Sequence, residues 1–461
     1  MALAPLDLAP DSSSAPEKNA GRLISSGIFL LVEVSCAENV MMLVFIYHLV
    51  EKITDWLDFF ILIKIPTRKE SNMIMQGRYD FLAQDSIVYG VPAAEAVQEA
   101  AVQMDARRVF LVTSKTLSRK TDVIDSIRLA LGDRYCGLFD ECVAHVPRES
   151  VLRAAAAVRK ADPDLIVTVG GGTPIDTVKV LLLCLAQNVT SEDELGEYRI
   201  RVLEDGTKKV PSVGKPPLRQ IVVPTTLSGA EFSNLGGCSD PVRQVKDLYT
   251  GREIGAQIVI LDPQVTVHTP EWLWLSTGIR AVDHAVETVC SRKPQPFTDA
   301  TCLHGLQMLG ESLRRTKRQP GDLDARLQSQ LGVWLASTGL GRVEWGASHG
   351  IGHQLGAVAD VPHGYTSCVL LHNVLRYNRS ANADRQAMIS QALGRPDEEA
   401  ADLIEGLVRE LGMPVRLEEV GVKREHFLAI ANGGMQNMMV RSNPRTIASP
   451  QDIIEILEQA L

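Results

Sequence analysis

In the first half of the chain, short apolar runs alternate with segments that have the period of amphipathic helices. The apolar runs, rich in β-branched residues and ended by glycine or polar positions, are typical of buried strands. They are 108–114, 141–146, 164–172, 220–226 and 257–263, and a first strand is expected within 77–90. The helical segments 120–132 and 150–161 separate them. This β-α-β rhythm predicts a parallel sheet covered by helices.

Beyond about Thr269 the strand pattern fades, and long segments of helical period continue to the C-terminus. Examples are 270–291, 296–315 and 397–412. We therefore predict an α/β Rossmann-like nucleotide-binding domain over 73–268 and an all-α C-terminal domain over 269–461. A chain of 461 residues is long enough for two such domains.

The first seventy residues follow neither pattern. Residues 1–22 are rich in Ala, Pro, Ser and Asp, a composition typical of disordered chain, and the apolar stretch 23–65 is interrupted by charged residues. Its longest uncharged run, 39–50, is too short to cross a bilayer. Met73 and Met75 stand directly before the first expected strand. We expect residues 1–72 to be a dispensable extension rather than an export signal or a membrane anchor.

Composition and charge narrow the class of protein. Lys plus Arg total 47 against 56 Asp plus Glu, a net charge of −9, so no basic surplus exists to neutralise nucleic-acid phosphates. The eight cysteines are scattered and form no CxxC pair. Dispersed cysteines in a long chain favour reduced thiols in a cytoplasmic enzyme with a small-molecule substrate.

A glycine turn between a predicted strand and a predicted helix indicates phosphate binding. Gly170, Gly171 and Gly172 let backbone N–H groups approach a pyrophosphate, Thr173 can cap the helix and Pro174 suits its first turn. The spacing is not that of the dinucleotide motif GxGxxG, and a plain structural turn is the alternative. A second polar loop, PTTLSGAE at 224–231, also follows a strand. Two such loops in one domain favour a nucleotide ligand.

Three of the ten histidines lie within fifteen residues. His349 and His353 are four apart and share a helix face, and His363 stands between Pro362 and Gly364 in a predicted loop. Upstream, Arg280 and His284 are also four apart on a predicted helix. Imidazoles that converge from two helices and a loop can hold a divalent transition metal or handle protons. His304, His372 and His426 lack such a context and are interpreted as structural.

Taken in order, these motifs resemble those of the iron-containing (group III) alcohol dehydrogenase family, including its maleylacetate reductase branch. GGGTPIDTVK resembles the family's GGGSxxDxxK, PTTLSGAE its PTTxGTGSE, and SHGIGHQLGAVADVPHG its HGxxHxLGxxxxxPHG. The similarity extends from about Gly77 to the C-terminus. It implies the dehydroquinate synthase-like architecture of a Rossmann-like domain plus a helical domain, with nucleotide and metal in the cleft between them.

The resemblance also implies roles for individual residues. The cofactor-binding residues would be Ser114, Gly170, Gly171, Gly172, Thr173, Asp176, Thr225, Thr226 and Lys246. His284, His349 and His363 would match three metal ligands, and His353 a proton-relay histidine next to the nicotinamide. Ser114 stands where many members have an Asp that repels a 2′-phosphate, which leaves both NAD(H) and NADP(H) open.

Arg280 departs from the family pattern. The family's metal site uses DxxxH, and here Arg280 occupies the Asp position. A guanidinium cannot ligate a metal, and its charge repels a divalent ion. Asp283 points about a hundred degrees away from His284 on a helix, so we do not expect it to substitute. Three imidazoles can still hold Fe²⁺ or Zn²⁺, so the prediction of a bound metal is weakened rather than excluded.

Arg280 has a second interpretation, as an anchor for a substrate carboxylate, because a guanidinium binds carboxylates in a bidentate manner. The maleylacetate reductase branch likewise lacks the metal-binding Asp and reduces a dicarboxylate. In the alternative, Arg280 turns away and pairs with a structural acid such as Glu287. As catalytic residues we predict Arg280, His353 and His284.

Three functions follow from the sequence. The first is an NAD(P)H-dependent reductase with a carboxylate-bearing substrate of the maleylacetate type, for which metal is not essential. The second is an Fe- or Zn-dependent alcohol dehydrogenase acting on small alcohols and aldehydes, and the third a nucleotide-binding relative without catalysis. A homodimer is expected for such enzymes.

Overall fold

The apolar runs of the first half of the chain form a parallel sheet. We describe a computed structural model over residues 76–202, 207–240, 242–243 and 245–461. The expectations for residues 1–72 lie outside the described residues. In chain order the strands are β1 (Ser86–Tyr89), β2 (Val109–Val112), β3 (Tyr135–Phe139), β4 (Leu165–Gly170), β5 (Arg201–Val202), β6 (Lys208–Lys209), β7 (Gln220–Pro224), β8 (Leu235–Asp240), β9 (Val245–Thr250) and β10 (Ala256–Leu261).

Six of these strands pair in the order β1-β10-β7-β4-β2-β3, and every pairing is parallel. All residues of the central strands β4 and β7 are buried. A parallel strand covered by helices on both faces buries all its side chains, which explains why these strands have continuous apolar sequences. The short pairs β5–β6 and β8–β9 are antiparallel.

Helices cover both faces of the sheet and then form a domain of their own. In chain order they are α1 (Ala93–Gln103), α2 (Lys115–Lys120), α3 (Val123–Leu131), α4 (Arg148–Ala161), α5 (Gly172–Ala186), α6 (Glu192–Glu197), α7 (Pro263–Thr266), α8 (Glu271–Val289), α9 (Pro296–Arg318), α10 (Leu323–Ala336), α11 (Ala347–Ala359), α12 (His363–Ala392), α13 (Ala400–Glu410), α14 (Arg424–Met435), α15 (Met438–Arg441) and α16 (Pro450–Ala460). Three short 3₁₀ turns complete the described elements: Gly132–Arg134, Ala230–Phe232 and Glu418–Val420. The predicted fold class is confirmed, although the exact domain boundaries remain predictions.

The hydrophobic core has separate parts on the two faces of the sheet. Helices α1 and α3 pack their alanine, valine and isoleucine side chains on one face. Helices α4 and α5 cover the other face. Helix α8 continues the core into the helical domain, since its buried side chains pack against both β-strand and helix residues. Helix α8 is therefore held from both sides, and it carries Arg280 and His284.

One predicted strand is wrong. We expected a strand at 141–146, whereas the structure has strand β3 at Tyr135–Phe139. His145 and Val146 have φ of 63° and 54°, a left-handed conformation that a strand does not allow. The true strand lacks a clear apolar pattern because it lies at the sheet edge and contains Gly137, where a Cβ would lie 2.7 Å from the Phe110 ring.

The hairpin of β8 and β9 was not predicted. Glycines and polar residues interrupt its apolar pattern, and it lies outside the main sheet. It is important because it carries Lys246, which pairs with Ser239 in the hairpin register.

Two general features of the described residues concern disulfide bonds and membrane-spanning helices. The seven described cysteines form no disulfide. Within the described ranges, no helix has the length and apolar character needed to cross a membrane.

Candidate active site

The two polar loops lie side by side at the carboxyl ends of β4 and β7. The backbone N–H of Thr225 donates to the Gly170 carbonyl at 3.0 Å. Gly170 has φ of 148°, which favours glycine, and a Cβ there would lie 2.8 Å from the Pro174 ring. A Cβ on Gly171 would lie 2.9 Å from Thr226 Oγ1. The glycines are thus required both by the backbone turn and by the close approach of the second loop.

Helix α5 begins immediately after this glycine turn. It starts at Gly172 and no side chain caps it, so the predicted cap by Thr173 is wrong. The first N–H groups of the helix are therefore available to a ligand, and its dipole favours an anion. Pro174 lies in the first turn, as predicted. The arrangement suits a phosphate or pyrophosphate group.

Two further predicted cofactor residues have identified structural contacts. The Oδ2 atom of Asp176 accepts from the Gly237 N–H at 3.1 Å, and Oδ1 accepts from Lys179 Nζ at 3.1 Å. Asp176 therefore fixes the β8–β9 hairpin to α5. Ser114 is the N-cap of α2 and accepts from the Leu117 N–H at 3.5 Å. Cofactor contact by Asp176 or Ser114 stays a prediction.

Helix α8 brings two acids toward α11. Asp283 is fully buried, and its Oδ2 accepts hydrogen bonds from Ser348 Oγ at 2.8 Å and Ser367 Oγ at 2.6 Å. The same oxygen lies 3.5 Å from His349 Nδ1. Burial alone would raise the pKa of Asp283, but His349, Arg280 and the Ser367 hydroxyl outweigh it and hold that pKa below its usual value. Asp283 is therefore an ionised, buried carboxylate.

Glu287 closes the start of helix α11. Its carboxylate accepts from the backbone N–H groups of Gly346 at 3.2 Å and Ser348 at 2.9 Å. Its Oε2 atom also lies 2.8 Å from His349 Nδ1. An acid at a helix N-terminus is stabilised by the free N–H groups and the helix dipole. Glu287 therefore fixes both the position of α11 and the orientation of the His349 ring.

His284 lies in an aromatic stack. Its ring centroid is 5.1 Å from that of Trp345 and 5.2 Å from that of His349. Burial lowers the pKa of His284 well below its usual value, and the nearby His349 and Arg280 lower it further. His284 is therefore neutral at pH 7, and its Nδ1 atom has no hydrogen-bond partner among the described residues.

The other two histidines of the cluster, His353 and His363, lie close to each other. The ring centroids of His353 and His363 are 6.2 Å apart, and His353 Nδ1 lies 3.3 Å from Asn437 Nδ2. His363 is the first residue of α12, and its Nε2 atom lies 3.3 Å from Lys246 Nζ. Desolvation lowers the pKa of both histidines well below the usual value, and Arg280 and Lys246 lower both further.

Arg280 does not pair with Glu287. Its Nη1 atom donates to Ser367 Oγ at 3.0 Å and lies 3.8 Å from Asp283 Oδ2. The side chain is 12% exposed, so it is not completely buried. The charge of Arg280 acts on His284, Lys246, His353 and His363. Arg280 is therefore within electrostatic reach of the whole cluster.

A metal ion at this site would be bound by both carboxylate and imidazole ligands. Among the described residues, the group whose ligand atoms lie within 4.8 Å of one another is Asp283, Glu287 and His349, which has the geometry to hold a metal ion. The same carboxylates already accept hydrogen bonds from backbone, hydroxyl and imidazole groups. The predicted set of His284, His349 and His363 does not come together in this way, and His363 Nε2 faces an ammonium group. That set fits a metal poorly, and metal binding by it stays a prediction.

Sequence reasoning did not identify Trp345 and Asn437, and it led us to dismiss Asp283 as a ligand and to consider Glu287 only as a structural partner of Arg280. The i, i+4 spacing of Asp283 and Glu287 on one helix was a usable signal, since such residues share a face. No local signal points to Trp345 or Asn437, which reach the histidines through packing of distant segments. Of the histidines interpreted as structural, His426 caps the start of α14 by accepting from the Lys423 N–H.

Comparison with known proteins agrees with this geometry. The profile of the iron-containing alcohol dehydrogenases matches residues 85–263, and that of the C-terminal part of the Fe-containing alcohol dehydrogenase family matches 274–461. Dehydrogenase ALT3 of Alternaria alternata is 32% identical over 387 residues, which cover 77% of this chain and 98% of that protein.

Two further relatives are named for different activities. The NAD-dependent methanol dehydrogenase of Bacillus methanolicus is 27% identical over 395 residues, covering 83% of this chain and all of that protein (100%). The crystal structure of maleylacetate reductase from Agrobacterium tumefaciens has a TM-score of 0.71 and 26% identity, and the match covers 84% of this chain and 99% of that one. With both halves matched in order, the chain belongs to the iron-containing alcohol dehydrogenase family of oxidoreductases.

Proposed function

We propose that the protein is an NAD(P)H-dependent reductase whose substrate carries a carboxylate group, of the type that maleylacetate represents. The single observation that carries this proposal is the place of Arg280, a guanidinium at the cleft where the family pattern has a metal-binding acid. When bound, the dinucleotide supplies the hydride. The residues of the chain bind and orient the substrate and supply the proton.

Two cations make the substrate side of the cleft an anion site. Lys246 Nζ lies against the His363 ring. Burial lowers the pKa of Lys246 and the charge of Arg280 lowers it further, against the opposing carboxylate of Asp176. Asp283 offsets part of the Arg280 charge, whereas the hydrogen-bond partner of Lys246 Nζ is the neutral His363 ring. A carboxylate that contacts both cations would relieve their repulsion. Charge-assisted hydrogen bonds of this kind are among the stronger ones in proteins.

His353 is the proposed proton donor. In the free protein its pKa is low because of desolvation and because Arg280, His349 and Lys246 disfavour the charged form. A bound carboxylate would offset the charges of Arg280 and Lys246 and so raise the pKa of His353. Protonation of His353 would then accompany substrate binding, and the proton would pass to the substrate as the hydride is added to a carbon polarised by a neighbouring carbonyl.

The cofactor would lie across the two loops at the carboxyl ends of β4 and β7. Gly170, Gly171, Gly172 and Thr173 would contact the pyrophosphate, and Thr225 and Thr226 would lie beside the nicotinamide half. The NAD-dependent methanol dehydrogenase relative is in keeping with this.

A metal-dependent alcohol dehydrogenase is the second candidate, favoured by the group Asp283, Glu287 and His349. His349 Nε2 is buried and has no hydrogen-bond partner among the described residues, as a ligand nitrogen would in the absence of its ion. In this alternative Asp283 replaces the acid that Arg280 displaces. The methanol dehydrogenase relative makes small alcohols the natural substrates to test.

The deciding experiment is a screen of NADH and NADPH consumption with maleylacetate, other dicarboxylates and simple aldehydes. It is run on enzyme purified without chelator, and again after chelation and after addition of Fe²⁺ or Zn²⁺. We expect turnover with a carboxylate substrate that survives chelation. A stoichiometric metal whose removal abolishes turnover would favour the second candidate, and no turnover with any pair would favour a non-catalytic nucleotide-binding protein.

Variants at Arg280 test the anchor itself. Loss of one charge-assisted contact typically costs about 1.5–3 kcal/mol, so Arg280→Gln should raise KM for the carboxylate substrate roughly 10- to 100-fold. Arg280→Lys keeps the charge without the planar guanidinium, so its KM should lie between those of the unmodified enzyme and Arg280→Gln. Equal KM values for Arg280→Gln and the unmodified enzyme would exclude Arg280 as the anchor.

A further inference from the structure

A second cavity lies apart from the cofactor loops and the histidine cluster. It has a volume of about 430 Å³ and is formed at the start of α8, where the chain passes from the sheet into the helical domain. Its polar lining residues are His268, Thr269, Glu271, Thr316 and Arg326. None of the lining residues belongs to the loops 170–173 and 224–229 or to the four histidines.

Arg326 is the unusual member of this lining. It is 3% exposed, yet none of the acidic side chains described offsets its charge, and burial alone shifts its pKa downward. Its Nε atom donates to the Pro320 carbonyl at 2.6 Å, and Nη1 donates to the Thr266 carbonyl at 2.8 Å. Nη2 has no acceptor among the described residues. A buried guanidinium without an anion is costly unless a ligand supplies one.

The start of helix α8 adds a second donor to the same cavity. The helix is nineteen residues long, begins at Glu271 after Pro270, and has no side-chain cap. Pro270, Glu271 and Trp274 from this first turn line the cavity. The unpaired N–H groups and the positive end of the helix dipole favour an anion there. The carboxylate of Glu271 opposes this, but it is paired with Lys317 Nζ at 2.6 Å.

An aromatic side chain holds the guanidinium in place. The Arg326 guanidinium carbon lies 4.6 Å from the centroid of the Trp274 ring, and Trp274 Nε1 donates to Thr316 Oγ1 at 3.3 Å. Stacking on an aromatic ring fixes the plane of the guanidinium, which is the arrangement used for oxyanion recognition. The ring and Leu275 also give the cavity an apolar wall.

We propose that this cavity binds a small organic oxyanion, a phosphate or carboxylate group held by Arg326 and the first turn of α8. The site is separate from the catalytic cleft but touches it through one hydrogen bond, in which Thr269 Oγ1 donates to the Thr225 carbonyl at 2.6 Å. The apolar wall leaves room for the carbon skeleton of the ligand.

Calorimetric titration of the full chain, saturated with NADH, tests the proposal. NADH fills the proposed pyrophosphate site at the loop 170–173. The probes are inorganic phosphate in one arm and succinate in the other, and their binding then reports on the remaining anion sites. For at least one probe we expect a binding event that Arg326→Gln weakens at least tenfold, in addition to any binding of succinate at Arg280. The arm that binds identifies the class of oxyanion. Arg280→Gln should leave this event unchanged, which separates it from the substrate site.

Further variants guard against loss of folding. Arg314→Gln removes a positive charge from an exposed position of α9 that is paired with Glu410, and it should not change the affinity. Glu271→Gln removes the opposing acid at an exposed position and should tighten binding about threefold. Absence of binding by both probes, unchanged affinity in a folded Arg326→Gln protein, or displacement of NADH by the probe would each overturn the proposal. If Arg326→Gln does not fold, the Glu271→Gln result decides.

Discussion

The Nζ atom of Lys246 and the Nε2 atom of His363 lie 3.3 Å apart, although the residues belong to different domains. Lys246 comes from the β8–β9 hairpin beside the sheet, and His363 begins helix α12 of the helical domain. The ammonium group donates to a neutral imidazole, whose pKa burial and Lys246 keep low. The Nε2 atom of His363 is therefore directed at a cation, whereas its Nδ1 atom has no hydrogen-bond partner among the described residues. Because the imidazole is neutral, it does not offset the positive charge of Lys246.

We predict that Lys246 contacts the substrate. Lys246→Gln should raise KM for the carboxylate substrate about tenfold, because one charge-assisted contact is lost, and should change NADH affinity less than twofold. Steady-state kinetics and fluorescence titration with NADH measure the two effects. Lys208→Gln, which removes an exposed lysine from β6, is the matched control. A selective loss of NADH affinity would instead support the cofactor role that the family resemblance implies.

Replacement of Arg280 by aspartate should create a metal site. Arg280→Asp places a carboxylate one helical turn before His284 and removes the charge that repels a cation. We expect the unmodified protein to carry far less than one Zn²⁺ or Fe²⁺ per chain and the variant to approach one, as measured by elemental analysis after dialysis. Arg280→Asn removes the charge without adding an acid, and its metal content should stay low. A full complement of metal in the unmodified protein would contradict our expectation that metal is dispensable.

The close approach of the two cofactor loops makes Gly171 intolerant of a side chain. A Cβ at this position would lie 2.8 Å from Thr226 Cγ2 and 2.9 Å from Thr226 Oγ1, so Gly171→Ala must displace Thr226. We expect KM for the dinucleotide to rise roughly tenfold, a cost of about 1.4 kcal/mol. The double variant Gly171→Ala, Thr226→Ala removes both clashing atoms and should recover part of the loss. Strictly additive effects in this cycle would show that the clash is not the cause.

Stability should fall in mild acid because of His372. Burial lowers the pKa of this histidine to about 4, and the cations Arg376 and Arg409 add to the shift against the opposing effect of Glu405. The folded pKa is below the unfolded one of about 6.5, so the unfolded chain binds the extra proton. The contribution of His372 is complete above pH 6.5 and is lost as the pH falls toward 4, by at most about 1.4 kcal/mol per pH unit.

Urea unfolding at several pH values between 7 and 4 measures this effect. His372→Gln should be less stable than the unmodified chain at pH 7, and the difference should shrink as the pH falls through this window. The exposed His304→Gln, in α9, serves as the control and should leave the pH dependence unchanged. A difference that is constant from pH 7 to 4 would mean that His372 does not titrate as described.

The sequence alone determined those features that depend on short-range patterns. The continuous apolar runs of β4 and β7 identified the central strands, because a strand buried on both faces has no polar alternation. The glycine turn at 170–172 and the spacing of His349 and His353 followed from backbone conformation and helical period. These features need only neighbouring residues, so the α/β and helical halves could be predicted from the chain.

The tertiary structure decided which partners these residues have. From helical period we did not expect Asp283 to act as a metal ligand. The period could not show that His349 would approach Asp283 from another helix, to 3.5 Å, which makes Asp283 part of the group that could hold a metal ion. Likewise, the edge strand β3 and the Lys246 hairpin lack a clear local pattern, and Lys246 meets a residue 117 positions away. Period fixes the direction of a side chain on its own element, whereas packing of distant elements determines what lies there. Our preference for a carboxylate-binding cleft over a metal site therefore rests on Arg280 in the sequence and on Lys246 in the fold.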